Sequence, residues 1–273
     1  MVPQEGCSLF ETNSAAVSRS VLTAGKADGA ALTLDEVLRL RAAGESLTVV
    51  LVFDVSAGAD VVLARTGIGT LADLAGKRIA ADRSGLGALM LHKVLKAAGL
   101  PLQAVTVVSL PVDDHFTAWR QGRIDVAITF EPFASRLREQ GPHVVFDSRQ
   151  IPDTIIDVLA FRESALRSHG RAVRALVAAH FRALEHFRRN ARDVADRIAP
   201  HMKLTGPEAL ESFRGIVLTD VAANWHYLGG SSPALAAAAR SVSSILVAAG
   251  LLPREDDLGN LVSAVSLPEA GAS

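Results

Sequence analysis

A short pattern that occurs twice constrains the fold of this chain more than any other feature. Residues 122–132 contain a Gly, a basic residue, an Asp and an apolar run with a Thr at its end. Residues 25–36 repeat these residue types in the same order, about 97 positions earlier. In each copy the Gly can take the left-handed conformation that ends a helix, and a short buried strand follows. The alternative is two ordinary strand and helix units with similar turns.

The repeat favours two lobes that face one ligand cleft. Ligands of parallel α/β sheets bind beyond the carboxyl ends of the strands. Both copies end on a Thr, Thr33 and Thr129, with acidic residues just beyond it. We therefore expect the two strand ends to lie at the cleft between the lobes.

Strand and helix signals alternate along most of the chain, which predicts the α/β fold class. The continuous apolar run at 47–54 is typical of a central strand that is buried on both faces. Helices are expected from Leu34, from Leu86 to Ala98, and over most of the chain beyond residue 171. The expected strands are 7–11, 28–32, 47–54, 59–65, 77–82, 105–110, 124–129, 143–146 and 155–162.

The element order predicts one discontinuous lobe and one continuous lobe. Strand 155–162 resembles strand 59–65 in sequence, and we interpret the two as strands that cross between the lobes. Lobe 1 would then comprise residues 1–66 and 155–273, and lobe 2 residues 67–154. Lobe 1 has no counterpart of strand 77–82 and helix 86–98 of lobe 2. The sequence therefore predicts that the first strand and helix of lobe 1 are missing, and that either the reading frame begins upstream or this chain is a shortened form.

Composition excludes several classes of protein. The 28 basic and 29 acidic residues leave a formal charge of -1, so bulk charge recruits neither nucleic acid nor an anionic membrane surface. The single cysteine, Cys7, excludes an intramolecular disulfide and a cysteine-based zinc cage. The longest clean apolar run, 47–53, is too short to span a bilayer. Residues 1–6 show neither the basic nor the apolar region of a secretory signal.

No spacing of residues indicates catalysis, and we expect no metal and no cofactor. The chain lacks Gly-x-Ser-x-Gly, His-Glu-x-x-His and the phosphate loop Gly-x-x-x-x-Gly-Lys. His180 and His186 are six residues apart and would lie on different faces of a helix. The acidic pairs 113–114 and 256–257 are expected on solvated surface.

Four segments together resemble the substrate-binding proteins of ABC importers. They are Ala-Ala-Leu-Thr-Leu-Asp-Glu at 30–36, Phe-Asp-Val-Ser-Ala-Gly-Ala-Asp at 53–60, Leu-Ala-Asp-Leu-Ala-Gly-Lys-Arg-Ile at 71–79 and Thr-Phe-Glu-Pro at 129–132. Within these proteins the chain is most similar to the nitrate, sulfonate, taurine and thiamine-precursor group. The resemblance extends from about Cys7 to Leu261.

The resemblance implies a two-lobed periplasmic-binding-protein-like fold of type II. It also implies a monomeric protein, not an enzyme, that acts in the periplasm or another extracytoplasmic space and delivers a small ligand to a membrane permease. No nucleic acid would be a partner. Carried over to the strand ends of this chain, it predicts the ligand-binding residues Thr33, Leu34, Asp35, Ser56, Ser84, Gly85, Leu86, Thr129, Glu131 and Asp157.

Each predicted site residue also has a structural interpretation. Thr33 can cap a helix, and Asp35 can stabilise the helix dipole in the first turn. Ser84 can serve only a turn, and Glu131 suits the first turn of a helix because Pro132 follows it.

Ligand identity stays open at the level of sequence. Carboxylates at the cleft favour a cationic or hydrogen-bond-donating ligand, and Phe53, Trp119 and Phe130 could flank a planar ring. A nitrogen heterocycle such as a pyrimidine thiamine precursor is therefore slightly favoured over a nitrate, sulfonate or taurine-type anion. The alternatives are an enzyme on the same bilobal fold, of the pyrimidine synthase or chorismate-derived lyase type, and the effector-sensing domain of a transcription regulator.

Overall fold

The structure is a computed structural model that describes residues 6–12, 14–82 and 86–269. Its strands are β1 (Gly29–Thr33), β2 (Leu47–Ser56), β3 (Val61–Ala64), β4 (Arg78–Ala81), β5 (Thr106–Ser109), β6 (Val126–Thr129), β7 (His143–Asp147), β8 (Ile156–Arg162) and β9 (Ile216–Leu218). Its helices are α1 (Ala15–Thr23), α2 (Leu34–Ala42), α3 (Leu86–Ala98), α4 (Val112–Arg120), α5 (Phe133–Arg138), α6 (Glu163–Arg189), α7 (Ala191–Met202), α8 (Gly206–Glu211), α9 (Val221–Leu228) and α10 (Ala234–Ala248). The backbone leaves helical geometry at His169 inside α6.

The chain divides into two compact units, and both mix helices with strands. Unit 1 is Met1–Val55, Ile155–Val194 and Val217–Ser273, and unit 2 is Ser56–Thr154 and Ala195–Ile216. Both units are discontinuous in sequence, because β8 returns the chain to unit 1 and residues 195–216 belong to unit 2. The sequence placed residues 195–216 in lobe 1 and predicted lobe 2 as one continuous segment. The boundary that we expected after residue 66 lies after Val55, because β3 hydrogen-bonds to β6 and β7 in the sheet of unit 2.

The sheet of unit 1 has the strand order β1-β8-β2-β9. β8 runs antiparallel to both β1 and β2, so this sheet is not the parallel sheet that the repeat suggested. A strand was also expected at residues 7–11, and none forms there in the structure. Leu9 and Phe10 are 70% and 73% exposed, so this segment has no apolar surface to pack against.

A buried amide fastens α9 to β2 in unit 1. The side-chain oxygen of Asn224 accepts from the Val52 N–H at 2.8 Å, and its nitrogen donates to the Val52 carbonyl at 3.0 Å. The register of β2 against β8 shifts just beyond Val52. Asn224 therefore supplies the hydrogen bonds that an adjacent strand would otherwise provide.

The carboxyl-terminal segment of unit 1 is held by an ion pair that the sequence did not indicate. The Arg41 guanidinium donates to Asp256 through Nε at 2.9 Å and through Nη2 at 3.1 Å, and it also donates to the Leu47 carbonyl at 2.8 Å. Asp256 was expected on solvated surface, but its side chain is only 7% exposed. The expectation was wrong for Asp256 because the segment folds back over α2 and β2.

The sheet of unit 2 has the strand order β5-β4-β6-β3-β7. β4 is parallel to β5 and to β6, and β3 is antiparallel to β6 and β7. The parallel part places the ends of β4 and β6 at the same edge of the sheet. Its core joins the strands to α4 and α5, and it includes the buried side chains of Leu63, Trp119, Ile124 and Leu137.

No helix within the described part of the chain is long and apolar enough to cross a membrane.

Candidate functional site

The repeated pattern forms two helix–strand units, but their strands differ in position. Gly25 follows α1 and Gly122 follows α4, with positive φ values of 68° and 66°. β1 is an edge strand beside β8, whereas β6 lies between β4 and β3. Thr33 is accordingly half-buried, whereas Thr129 is only 2% exposed. The two threonines therefore face different environments although their sequence patterns are alike.

Thr129 lies at a small crevice in unit 2. The crevice forms where β4 and β6 end, against the first turns of α3 and α4. Its lining residues are Asp60, Asp82, Leu86, Gly87, Met90, Val112, His115, Ile128, Thr129 and Phe130. This is the edge of a parallel sheet at which ligands bind in α/β proteins.

Two buried polar atoms of the crevice residues lack a partner. Neither the Thr129 hydroxyl oxygen nor His115 Nδ1 forms a hydrogen bond within residues 6–12, 14–82 and 86–269. Both side chains are almost fully buried, at 2% and 1% exposure. A buried polar atom without a hydrogen bond costs about 1–3 kcal/mol, so a water molecule or a ligand group at this position would be stabilised.

The tautomer of His115 follows from its second nitrogen. Nε2 lies 3.3 Å from the carbonyl oxygen of Leu110, which can only accept, so Nε2 carries the proton. Burial lowers the pKa of His115, although the Leu110 carbonyl and the nearby carboxylates of Asp82, Asp114 and Asp113 oppose this effect. The imidazole is therefore neutral near pH 7, and Nδ1 presents a bare lone pair.

A pair of serines holds the segment that carries Asp60. The Ser56 and Ser148 hydroxyl oxygens lie 2.7 Å apart, and the Asp60 N–H donates to the Ser56 oxygen at 3.2 Å. Ser148 also accepts from the Gly58 N–H at 2.6 Å. Ser56 is buried and does not line the crevice. Its hydrogen bonds place Asp60 there, which is a positioning role that the sequence did not indicate.

The start of α3 contributes Leu86 and Gly87 to the crevice. A Cβ on Gly87 would lie 2.6 Å from the backbone oxygen of Asp82, so only glycine fits between the end of β4 and the helix. The close neighbour of Gly87 is thus the backbone of the chain itself. The predicted site residues Ser84 and Gly85 lie outside the described residues.

Glu131 is buried but has partners on both carboxylate oxygens. Oε2 accepts from the Ser135 N–H at 2.9 Å, and Oε1 forms an ion pair with Arg138. These contacts close the first turn of α5, which is the structural interpretation that the following proline suggested. A ligand at Glu131 would have to replace one of them.

The predicted residues of unit 1 cluster where β1 joins α2. The Thr33 hydroxyl lies 2.5 Å from the Asp35 carboxylate, and Thr33 is paired with Asp157 in the register of β1 and β8. Leu34 is fully buried and packs inside the unit. The Thr33 N–H donates to Glu36 at 3.2 Å, which satisfies the start of the helix. The roles of Thr33, Leu34, Asp35 and Asp157 in ligand binding remain predictions.

Asp35 has an unusual environment for a carboxylate. It is 2% exposed, and its Oδ2 has no hydrogen-bond partner among the residues that the structure describes. Burial raises the pKa of Asp35 to about 6, and the charge of Glu36 adds to this, against opposing effects of Thr33, Arg39 and Arg19. Asp35 therefore changes charge at about pH 6.

Of the three aromatic residues that could flank a planar ring, Phe130 lies at the crevice. It is 38% exposed and packs edge-on against Phe133, with ring centroids 5.7 Å apart. Trp119 is buried in the core of unit 2 beneath the Arg65 guanidinium, which lies 4.3 Å from the ring centroid. Phe53 belongs to unit 1 and contacts His180. The expectation for Trp119 was wrong because its ring fills the space between α4 and the sheet.

The crevice unites only part of the predicted site. Leu86 and Thr129 line it, Ser56 supports it from behind, and Glu131 follows it in sequence but is paired elsewhere. The sequence did not predict that Asp60, Asp82 and His115 line the crevice. Asp82 ends a predicted strand, so the rule that identified Thr129 could have identified Asp82 as well. His115 carries no such signal because it lies inside a helix.

The described residues contain no group of three or more His, Cys, Asp or Glu side chains that could hold a metal ion.

Comparison with known protein families shows which family the chain belongs to. The family described as NMT1/THI5 like matches residues 8–192, and the chain belongs to this family. This confirms the resemblance to the nitrate, sulfonate and thiamine-precursor group.

A curated relative and two solved structures are similar to the chain. A protein of Brucella abortus (strain 2308) named as a "Putative binding protein" is 26% identical over 149 residues, which cover 53% of this chain and 47% of the relative. The chain thus spans about half the length of the curated relatives that it matches.

The solved structures establish the fold. The periplasmic aliphatic sulphonate binding protein SsuA from Escherichia coli is 20% identical with a TM-score of 0.75, over 89% of this chain and 78% of that chain. The desulfurization enzyme DSZB is 18% identical with a TM-score of 0.61, over 85% of this chain and 82% of that chain. The fold expected from the sequence, two-lobed and periplasmic-binding-protein-like, is confirmed at this level.

Proposed function

We propose that the chain is the solute-binding component of an ABC-type importer. It captures a small polar ligand, either a pyrimidine thiamine precursor or related heterocycle or a nitrate, sulfonate or taurine-type anion. It then delivers the ligand to the membrane permease, from the periplasm or another extracytoplasmic space and as a monomer. Membership of the NMT1/THI5-like family and similarity to a sulphonate-binding protein support this function.

One observation carries the proposal within this chain. The crevice at the ends of β4 and β6 is bordered by two buried residues, Thr129 and His115, that each have a polar atom with no hydrogen-bond partner in the described ranges. Buried polar atoms in folded proteins are usually satisfied by a protein group, a water molecule or a ligand, so a solute bound here could supply the missing partners.

A thermal-shift screen tests the proposal. The panel contains pyrimidines and other nitrogen heterocycles on one side and nitrate, taurine and alkanesulfonates on the other. A ligand that binds only the folded protein raises Tm in proportion to the logarithm of its concentration above Kd. We expect a concentration-dependent rise with at least one compound. A flat response across the panel at millimolar concentration would contradict solute binding.

An enzyme on the same fold is the second candidate, and the similarity to the desulfurization enzyme DSZB favours it. The two functions differ in the fate of the ligand. Incubation with an excess of the compound that raises Tm, followed by mass spectrometry, should return that compound chemically unchanged. Conversion that exceeds one equivalent of protein would establish the enzyme instead.

A further inference from the structure

A row of arginines runs along an exposed face of α6. Beyond His169, where the backbone leaves helical geometry, the helix continues to Arg189. The exposed side chains of this part include Arg171, Arg174, Arg182 and Arg189. From the pitch of an α-helix, these four residues lie within about 80° of one another around the helix axis and span about 27 Å along it. They are called the arginine row below.

Most of the arginine row has no acidic partner. Arg189 pairs with Glu185 at 2.7 Å. Arg171, Arg174 and Arg182 form no ion pair within residues 6–12, 14–82 and 86–269. Three guanidinium groups therefore face solvent without an acid of the described chain beside them.

The formal charge of α6 is opposite to that of the rest of the chain. With its histidines neutral, the six arginines and two glutamates of the helix give it a formal charge of +4. The whole chain has a formal charge of -1, so the residues outside α6 together carry -5. Bulk charge recruits no anionic surface, but the arginine row attracts one locally, and the negative remainder orients this face toward it.

The length of the row fits an extended anionic surface. Arg171 and Arg189 are about 27 Å apart along the helix, so no single small anion contacts the row as a whole. A bilayer that contains anionic phospholipids presents negative charge along this whole length, and each arginine near it strengthens attachment about fivefold. The guanidinium group also matches the geometry of phosphate oxygens.

We propose that the arginine row is a docking surface for a bilayer that contains anionic phospholipids. The attachment is peripheral, because Val173, Val177, Phe181 and Leu184 of α6 are buried in unit 1 and are not free to insert into the bilayer. Attachment by charge alone is reversible and is screened by salt. The inference goes beyond the proposed function, since capture of a solute does not require it, and the two are tested separately.

Co-sedimentation with vesicles tests the docking surface. Vesicles of phosphatidylcholine and phosphatidylglycerol in equal amounts are compared with vesicles of phosphatidylcholine alone. We expect the protein to sediment with the anionic vesicles at about 20 mM NaCl, to remain in solution with the neutral ones, and to be released as NaCl is raised to about 300 mM. Equal sedimentation with both kinds of vesicle, or with neither, would overturn the proposal. Either result would leave solute binding untouched, because no ligand is present.

Triple variants assign the attachment to the row. Replacement of Arg171, Arg174 and Arg182 by Gln removes three charges without an ion-pair partner in the described chain and should lower the partition coefficient on anionic vesicles at least tenfold. Gln is a good helix former and the three positions are exposed, so Tm should not change. Lys at the same three positions keeps the charge and should keep most of the binding, because a bilayer attracts any cation near it. If the Gln triple does not fold, Arg182→Gln alone should still weaken binding about fivefold.

A matched control removes the same amount of charge elsewhere. It replaces by Gln three exposed arginines outside α6, which are Arg120, Arg240 and Arg254. We expect this control to bind anionic vesicles nearly as well as the parent. An equal loss of binding in both Gln triples would show that only net charge matters and would refute the docking surface.

An acidic protein surface is the other partner with the required charge. Poly-glutamate in place of the vesicles distinguishes it. If poly-glutamate binds through the arginine row and the anionic vesicles do not, the row docks an acidic polypeptide and the proposal of a bilayer is wrong.

Discussion

The hydroxyl oxygens of Ser56 and Ser148 lie 2.7 Å apart, although 92 residues separate them in the chain. Ser56 ends β2, and Ser148 follows β7. Through this contact, and through the bonds of each serine to the 58–60 backbone, the position of Asp60 depends on a residue far away in the sequence. The wall of the crevice is therefore held by neutral hydrogen bonds behind it.

Removal of the Ser148 hydroxyl should weaken both stability and binding. Ser148→Ala removes the hydrogen bonds that the Ser148 hydroxyl forms with the Gly58 N–H and with the Ser56 hydroxyl. We expect this to lower the free energy of unfolding by about 1–3 kcal/mol. Chemical denaturation measures this loss, and titration with taurine or 4-aminopyrimidine measures the effect of a displaced Asp60. Ser109→Ala, at an exposed position of β5, is the control and should change stability by less than about 0.5 kcal/mol. Equal stability of the two variants would show that the serine pair does not hold the wall.

Stability should depend on pH through Asp35. Its pKa is about 6 in the folded protein and near 3.8 in the unfolded chain, so the unfolded state loses its proton first as pH rises. The contribution of Asp35 is therefore most favourable below about pH 4 and is lost between about pH 4 and 6, by on the order of 2–3 kcal/mol.

Asp35→Asn tests this dependence because an amide does not ionise and can still accept from Thr33. We expect the variant to be more stable than the parent at pH 8 and of similar stability at pH 4, as measured by urea unfolding. Glu139→Gln, at an exposed position, should leave the difference between the two pH values unchanged. A parent protein whose stability does not fall between pH 4 and pH 6 relative to Asp35→Asn would refute the assignment.

The Arg41–Asp256 pair should be strongly coupled to folding. Arg41→Met leaves the Asp256 carboxylate buried without its guanidinium partner, and loss of one member of a buried ion pair costs about 3–5 kcal/mol. The double variant with Asp256→Leu should recover part of that loss, because it also removes the stranded charge. Arg189→Met breaks the exposed pair with Glu185 and should cost at most about 1 kcal/mol. Thermal unfolding of the parent, the two single variants and the double variant measures these losses of stability. A loss of similar size in Arg41→Met and Arg189→Met would contradict the argument from burial.

Local signals in the sequence sufficed for most of the fold. The spacing of the apolar residues and the glycines at the ends of elements predicted both ends of α3 correctly. They also predicted the ends of β1, β4, β6 and β8 to within two residues. Physical causes of this kind act within one element, so they can be read from neighbouring residues. The antiparallel pairing of β8 depends instead on where distant strands meet.

The candidate site was predicted less well for a related reason. Thr129 was found because the end of a strand carries it, and that rule is local. His115, Asp60 and the role of Ser148 depend on the packing of α4 and on the turn after β7 against the sheet, which no spacing in the sequence records. Trp119 and Asp256 were misplaced because burial of a side chain is settled by the segments that fold over it.

The most direct test of the account concerns the Thr129 hydroxyl. Thr129→Val keeps the shape of the side chain and removes an oxygen that has no partner among residues 6–12, 14–82 and 86–269. We predict that calorimetric titration with taurine or 4-aminopyrimidine, whichever raises Tm more, will give a Kd about ten- to a hundredfold higher, while Tm stays constant or rises. Thr33→Val is the companion variant and should lower Tm, because the Thr33 hydroxyl donates to Asp35. A Thr129→Val protein that binds the compound as tightly as the parent would contradict the placement of the ligand at the end of β6.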